Sequence, residues 1–235
     1  MQFKNSRIIS EDPREMPAYN IGEAAHYLRI PIATLRSWVR GRAYPTERGN
    51  RFFKPLLTLP NPDLLSLSFV NLIEAHVLDA IRREHNIAIP KVRTTLNYVT
   101  RELGSKHPLA DHRFETDGVD LLISHLGKFI STSQDGQLAM KAMLASHLRR
   151  IEYDANLAVR LYPFTRKREL EEPKYIVMDP YVSFGRPTIT GTGIVTSIVA
   201  ERYKAGESIS DLAKDYGCEG GYVEEAIRCE LDIAA

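Results

Sequence analysis

Between Tyr19 and Lys54 two short apolar periodicities are separated only by Arg29-Ile30-Pro31, and that spacing leaves few folds open. Ile21, Ala24, Ala25 and Leu28 recur at the intervals of an amphipathic helix, and Ile32, Leu35, Trp38 and Val39 repeat the pattern after the break. Pro31 suits the first position of the second helix, where its missing N–H would be unpaired in any case. Two helices joined this tightly predict a helix-turn-helix, whose second helix lies in the major groove of DNA. The polar face of that helix carries Thr34, Arg36, Ser37 and Arg40. Arginine bonds bidentately to guanine edges, and hydroxyls serve bases or phosphates. Arg42 follows, and Arg48, Asn50 and Arg51 lie in a turn and short strand that read as a basic wing. From Arg29 to Lys54, seven Arg and Lys stand against Glu47 alone, an excess suited to a polyanion and to salt-dependent binding.

That excess is local. Over 235 residues the formal net charge is only +1, with 43% hydrophobic and 26% charged residues, the composition of an ordinary globular protein with room for a real core. Residues 1–60 carry ten Lys and Arg against five Asp and Glu, whereas residues 173–235 carry six against ten. The basic end suits DNA and the acidic end suits a protein. Cys218 and Cys229 are too few for a disulfide framework and read as reduced thiols. No run of ~18 apolar residues and no charged-then-apolar leader is seen, so a cytoplasmic protein with no membrane contact is expected.

Beyond the wing, Ser68 is placed to cap a helix carrying Phe69, Leu72, Ile73, Val77, Ala80 and Ile81 inward. Pro90 opens another, with Val92, Leu96, Val99 and Leu103 inward and Gly104 at its end. From His112 the pattern turns strand-like. Asp117-Gly118 reads as a hairpin turn between residues 113–115 and 119–123, with a further strand at 128–131. Asp135-Gly136 reads as a turn before a helix bearing Leu138, Leu144 and Leu148, and residues 153–162 return to alternation. A charged linker spans 166–173. The last segment begins with a short strand at 175–178, continues through a glycine-rich ribbon at 185–194, and ends in three helices, with Ser208 capping the second. The expected fold is mainly α with small β elements. A winged helix-turn-helix domain (1–104) precedes a small mixed α/β module with linker (105–172) and a C-terminal helix-turn-helix-like domain (173–235).

Ile21-Gly22-Glu23-Ala24-Ala25, Leu28, Thr34-Leu35-Arg36, Trp38 and Gly49-Asn50-Arg51-Phe52 resemble the winged-helix head of MerR-type regulators, which makes Arg36 and Arg51 DNA contacts by that resemblance. The long coiled-coil dimerisation helix usual in MerR proteins has no counterpart here. At the other end, Asp179-Pro180, Gly185-x-Pro187-x-Ile189-x-Gly191-Thr192-Gly193-Ile194, Ala205-Gly206-Glu207-Ser208, Leu212-Ala213 with Asp215-Tyr216, and Val223 with Ala226-Ile227 resemble a small bacterial domain typed as an antitoxin. Together the two ends resemble the VapB-like antitoxins of type II toxin–antitoxin pairs, whose partners are PIN-type ribonucleases. The resemblance implies operator DNA and a PIN-type toxin as partners, and a homodimer. It also suggests that Arg186, Arg202 or Arg228 engages the carboxylates of the nuclease.

Catalytic chemistry is not legible. Gly191-Thr192-Gly193 lacks the Lys-Ser/Thr of a phosphate loop and the third small residue of a dinucleotide fingerprint, and too little chain follows for a nucleotide-binding half. The seven histidines are scattered, without Cys or carboxylates at zinc spacing. The expectation is a non-enzymatic antitoxin and repressor with no cofactor. The alternatives are a one-component regulator sensing a ligand and an architectural DNA protein.

Overall fold

The computed structural model describes residues 12–46, 49–83, 87–127, 134–166 and 173–231. Strand β1 (Tyr19–Asn20) leads into helix α1 (Ile21–Leu28) through a capping box, in which Asn20 Oδ1 accepts the Glu23 N–H and Glu23 Oε2 accepts the Asn20 N–H, both at 2.9 Å. Arg29 ends α1 in the left-handed conformation (φ 55°). Helix α2 spans Ile32–Arg40, so Pro31 sits at the N-cap, one place before its expected position, and its carbonyl accepts the Thr34 and Leu35 N–H groups. Leu35, Trp38 and Val39 are buried, but Ile32 at the first turn is 46% exposed. Strands β2 (Arg42–Thr46) and β3 (Gly49–Phe53) pair antiparallel as the wing, and β4 (Ser66–Leu67) pairs with β1.

Helix α3 (Phe69–Arg83) is the spine of the first core. Ser68 and Asn71 cap it reciprocally: Ser68 Oγ accepts the Asn71 N–H and Asn71 Oδ1 accepts the Ser68 N–H. Its apolar side chains from Phe69 to Ile81 are all buried, each fully buried large one contributing about 1.5–3 kcal/mol of transfer free energy. Asn71, fully buried on α3, finds partners: its Nδ2 donates to Glu74 Oε2 and to the Thr58 carbonyl, each at 3.0 Å. Helix α4 (Ile89–Leu103) buries Val92, Leu96, Val99 and Leu103 as its periodicity requires, and ends at left-handed Gly104.

The hairpin expected around Asp117-Gly118 is absent. Residues 114–118 form a π-helical turn that runs into α5 (Val119–Gly127). Phe114, Leu122 and Leu126 are buried together, and a Cβ at Gly118 would stand 2.5 Å from the Phe114 ring. This glycine makes room for a side chain rather than for a turn, which is why the turn signal misleads. The expected strand at 128–131 lies outside the described residues. Asp135-Gly136 is likewise no turn: it lies within α6 (Gln134–Leu148), which buries Met140, Leu144 and Leu148 but leaves Leu138 60% exposed. Strands β5 (Ile151–Tyr153) and β6 (Ala158–Leu161) form a short hairpin. One apolar cluster includes Tyr19, Trp38, the α3 core, Leu109, Phe114, Leu144 and Leu161, and so spans both sides of residue 104.

The C-terminal segment has its own cluster, of Ile176, Ile189, Val199, Leu212, Val223, Ala226, Ile227 and Cys229. It is built from the β7 (Ile176–Val177) and β8 (Thr188–Ile189) ribbon and from α7 (Thr196–Lys204), α8 (Ile209–Tyr216) and α9 (Gly220–Glu230). Ser208 caps α8 as expected, its Oγ accepting the Asp211 N–H at 3.1 Å. Cys218 and Cys229 are both free thiols, and burial pushes that of Cys229 up to about 12. Arg166, in the charged linker, bonds to Glu225 of α9, while residues 167–172 lie outside the described residues. The observed fold is thus mainly α, with two-stranded β elements.

Candidate nucleic-acid interface and partner-facing turn

The second helix of the head is held from beneath. Trp38 is 1% exposed, and its carbonyl accepts the N–H groups of Leu56 and Leu57, where the chain leaves the wing. The Arg82 guanidinium lies 5.9 Å from the centre of the Trp38 ring. Gly41 turns the chain from α2 into β2, and its N–H reaches the Ser37 carbonyl. The wing is stiffened by Tyr44 and Phe53, whose rings stack 4.0 Å apart. Its exit is clamped by Arg93 of α4, which donates to the carbonyls of Lys54 and Pro55.

Over this frame Arg36 and Arg40 stand exposed on one face of α2, one helical turn apart. Arg42, Asn50 and Arg51 are exposed on the wing, with Tyr44 opposite Arg51 and Pro45 opposite Asn50. Thr34 and Ser37 are half-buried, and the Ser37 hydroxyl donates to the Thr34 carbonyl at 2.8 Å, which leaves it free only to accept. Arg48 lies outside the described residues. Arg29 belongs to the basic count of this segment but not to the face. Its guanidinium donates to the carbonyls of Arg228, Cys229 and Leu231, at the C-terminal end of α9. His26 Nε2 also meets the Cys229 carbonyl, at 2.9 Å. Helix α1 therefore carries the C-terminal segment, while α2 is left open.

The three C-terminal arginines are placed differently from one another. Arg202 pairs with Glu207 and Asp215 and lies over the Tyr216 ring. Arg228 pairs with Glu225, a carboxylate 1% exposed that also receives Arg166 and Thr165. Arg186 is exposed; its N–H donates to the Ser183 carbonyl, and its guanidinium makes no hydrogen bond or ion pair with the described residues. It closes a turn in which Ser183 (φ 49°), Phe184 (φ 57°) and Gly185 (φ 78°) are all left-handed. For the two non-glycine residues this conformation costs about 1–2 kcal/mol each. Surrounding bonds hold it: Asp179 accepts the N–H groups of Tyr181 and Val182, Ser183 Oγ donates to the Gly193 carbonyl, and Tyr19 Oη donates to the Gly185 carbonyl at 2.8 Å. Phe184 and Arg186 border a cavity of about 540 Å³, whose other wall is Glu23 and Tyr27 of α1 with Met16 and Pro17.

Arg93, Tyr19 and Phe184 are absent from the site residues read off the sequence. Their roles depend on neighbours 38 to 166 residues away along the chain, so no local spacing signals Arg93 or Tyr19. Phe184 lies one residue before the glycine-rich ribbon and no spacing signals it. Among the described residues no group of three or more His, Cys, Asp or Glu is placed to hold a metal ion, and no helix is long and apolar enough to cross a membrane.

Residues 17–96 match a family described as "Putative DNA-binding HTH domain", and residues 176–228 match one described as "Protein of unknown function (DUF433)". A Mycobacterium tuberculosis protein named "Putative antitoxin VapB45" is 29% identical, over 91% of this chain and 93% of its own length. A second protein of that organism, "Uncharacterized protein Rv2308", is 25% identical over 89% of this chain and 88% of its own. The crystal structure of Rv2018 from M. tuberculosis superposes with a TM-score of 0.63 at 25% identity, covering 90% of this chain and 98% of that one. Along nearly its whole length the chain is thus similar to a protein named as a putative antitoxin, and its two ends match a DNA-binding helix-turn-helix family and the DUF433 family.

Proposed function

We propose that this protein is a non-enzymatic, cytoplasmic antitoxin that binds operator DNA through its MerR-like head, represses its own promoter as a homodimer, and neutralises a PIN-type ribonuclease toxin. In this division residues 1–104 grip DNA, 105–172 brace the head, and 173–235 contact the toxin. The observation that carries the reading is the exposure of Arg36 and Arg40 one turn apart on α2 and of Arg42, Asn50 and Arg51 on the adjoining wing, in a chain whose other end is acidic. Thr34, Ser37 and Arg48 complete the proposed DNA contacts. On the toxin side Arg186 leads, because Arg202 and Arg228 must first leave their own carboxylates. Coexpression with the adjacent reading frame tests the proposal. The chain should restore growth to cells poisoned by that product, and the purified chain should retard its own promoter DNA. A chain that shifts the promoter but leaves the cells poisoned is not an antitoxin.

A further inference from the structure

Phe184 is 89% exposed, far more than any other large apolar side chain among the described residues. It is not a loose side chain on a loose loop. Its backbone is held left-handed between Ser183 and Gly185, and no described contact of its own ring accounts for that conformation. The restraints come from elsewhere: the Asp179 cap, Ser183 on the Gly193 carbonyl, and the Tyr19 hydroxyl on the Gly185 carbonyl. A Cβ at position 185 would stand 2.3 Å from that hydroxyl, so the turn and the head are fitted to each other. Strain that surrounding structure maintains, at a place where an aromatic is pushed into water, marks a functional display. Rigid aromatic anchors bind proteins because little freedom remains to be lost when they are buried.

We propose that the 181–186 turn is a preorganised docking anchor for the toxin, in which Phe184 seats in an apolar socket of the partner whose rim presents a carboxylate to Arg186. This rests on the antitoxin reading and adds to it a side chain, a partner surface and a composite origin. Charge complementarity selects the partner: the Arg186 guanidinium makes no hydrogen bond or ion pair with the described residues, and it stands two positions from the anchor and lines the same cavity. Tyr181 and Val182, just before the anchor in the chain, are also exposed and supply an apolar border. Tyr19 is 3% exposed and cannot touch the partner, so it is a positioning residue that acts through the Gly185 carbonyl. The anchor therefore needs the head as well as the C-terminal domain, and the full chain is the unit that binds.

The experiment is calorimetric titration of the full-length chain with the purified product of the adjacent reading frame. Phe184→Ala should weaken binding by about 30-fold or more, the mark of a hot spot, with promoter binding unchanged. Arg186→Ala and Tyr19→Phe should each weaken it by about 5- to 10-fold, the size of one lost hydrogen bond. Phe184→Gly should bind as poorly as Phe184→Ala yet melt no lower than wild type, since glycine adopts the left-handed conformation without cost. If the wild-type chain does not bind the product, the antitoxin reading fails and takes the anchor with it. If wild type binds and Phe184→Ala binds within about twofold of it, the anchor alone is wrong. If Phe184→Ala instead breaks a homo-oligomer of the free chain in sedimentation, the socket belongs to a second copy and the proposal is overturned.

Discussion

At Gly41 the backbone has φ 72° and ψ −176°, a region open essentially to glycine alone, and a Cβ there would lie 2.1 Å from the Phe53 carbonyl oxygen. Neither strand of the wing can retreat from that contact without breaking its pairing, since Arg42 and Phe53 are register partners. Gly41→Ala should therefore lower stability by roughly 2–4 kcal/mol, combining backbone strain with overpacking. Urea unfolding measures this. A loss below about 0.5 kcal/mol, the size of a neutral surface change, would mean that the wing is not seated as described. Gly118 is a contrasting case: it has no positive φ and is required only by the Phe114 ring beside it. Both are glycines in polar surroundings, and composition alone does not tell them apart.

Helix α2 and the wing should divide the work of DNA binding. A groove-facing arginine carries sequence information, whereas a wing arginine on phosphate carries affinity and salt dependence. Arg36→Ala should cost about 1–3 kcal/mol on the operator and little on unrelated DNA. Arg51→Ala should weaken both alike and reduce the salt slope by about 0.9. Fluorescence anisotropy at several salt concentrations separates these patterns. Identical behaviour of the two variants would remove α2 from the groove. The helical part of this face was readable in advance, because Leu35, Trp38 and Val39 at helical spacing leave Arg36 and Arg40 on the outer side. The hairpin expected at 113–123 was not, because an Asp-Gly pair is a local signal and the burial of Phe114, Leu122 and Leu126 in one core overrode it.

Across the molecule, segments far apart in the chain are tied by backbone bonds, such as those between Leu161 and Met178, and by side-chain bonds, some of them ionic. Arg14 bonds to Asp12 and to Asp154 in the β5–β6 hairpin, and the Tyr181 hydroxyl donates to Asp12. The hydrogen bond from Arg14 holds the Asp12 carboxyl below the usual range, and backbone N–H groups of the β5–β6 turn do the same for Asp154. Both groups bind fewer protons folded than unfolded, so their stabilisation is present above the unfolded pKa and is lost as pH falls through the folded one. Urea midpoints should decline as pH drops below about 4. In Asp154→Asn the decline should be shallower. An equal slope in the variant would assign the acid sensitivity to other carboxylates.

Composition, helical periodicity and charge were sufficient for the helix-turn-helix, the spine helix, the Ser208-capped helix α8 and the exposure of Arg36 and Arg40 on α2. Each depends on interactions within a few residues, where spacing and side-chain chemistry are visible in the chain itself. The partners of Arg29, Arg202 and Arg228 were not legible. A guanidinium looks the same in sequence whether it faces DNA, a toxin carboxylate or the end of its own protein's helix. Folding brought Arg29 to the α9 carbonyls and Arg202 to Glu207 and Asp215, because burying the apolar faces places those acceptors within reach. The left-handed turn that exposes Phe184 is likewise a tertiary outcome. Its local conformational preference opposes it, and Tyr19, 166 residues before Gly185, helps to hold it.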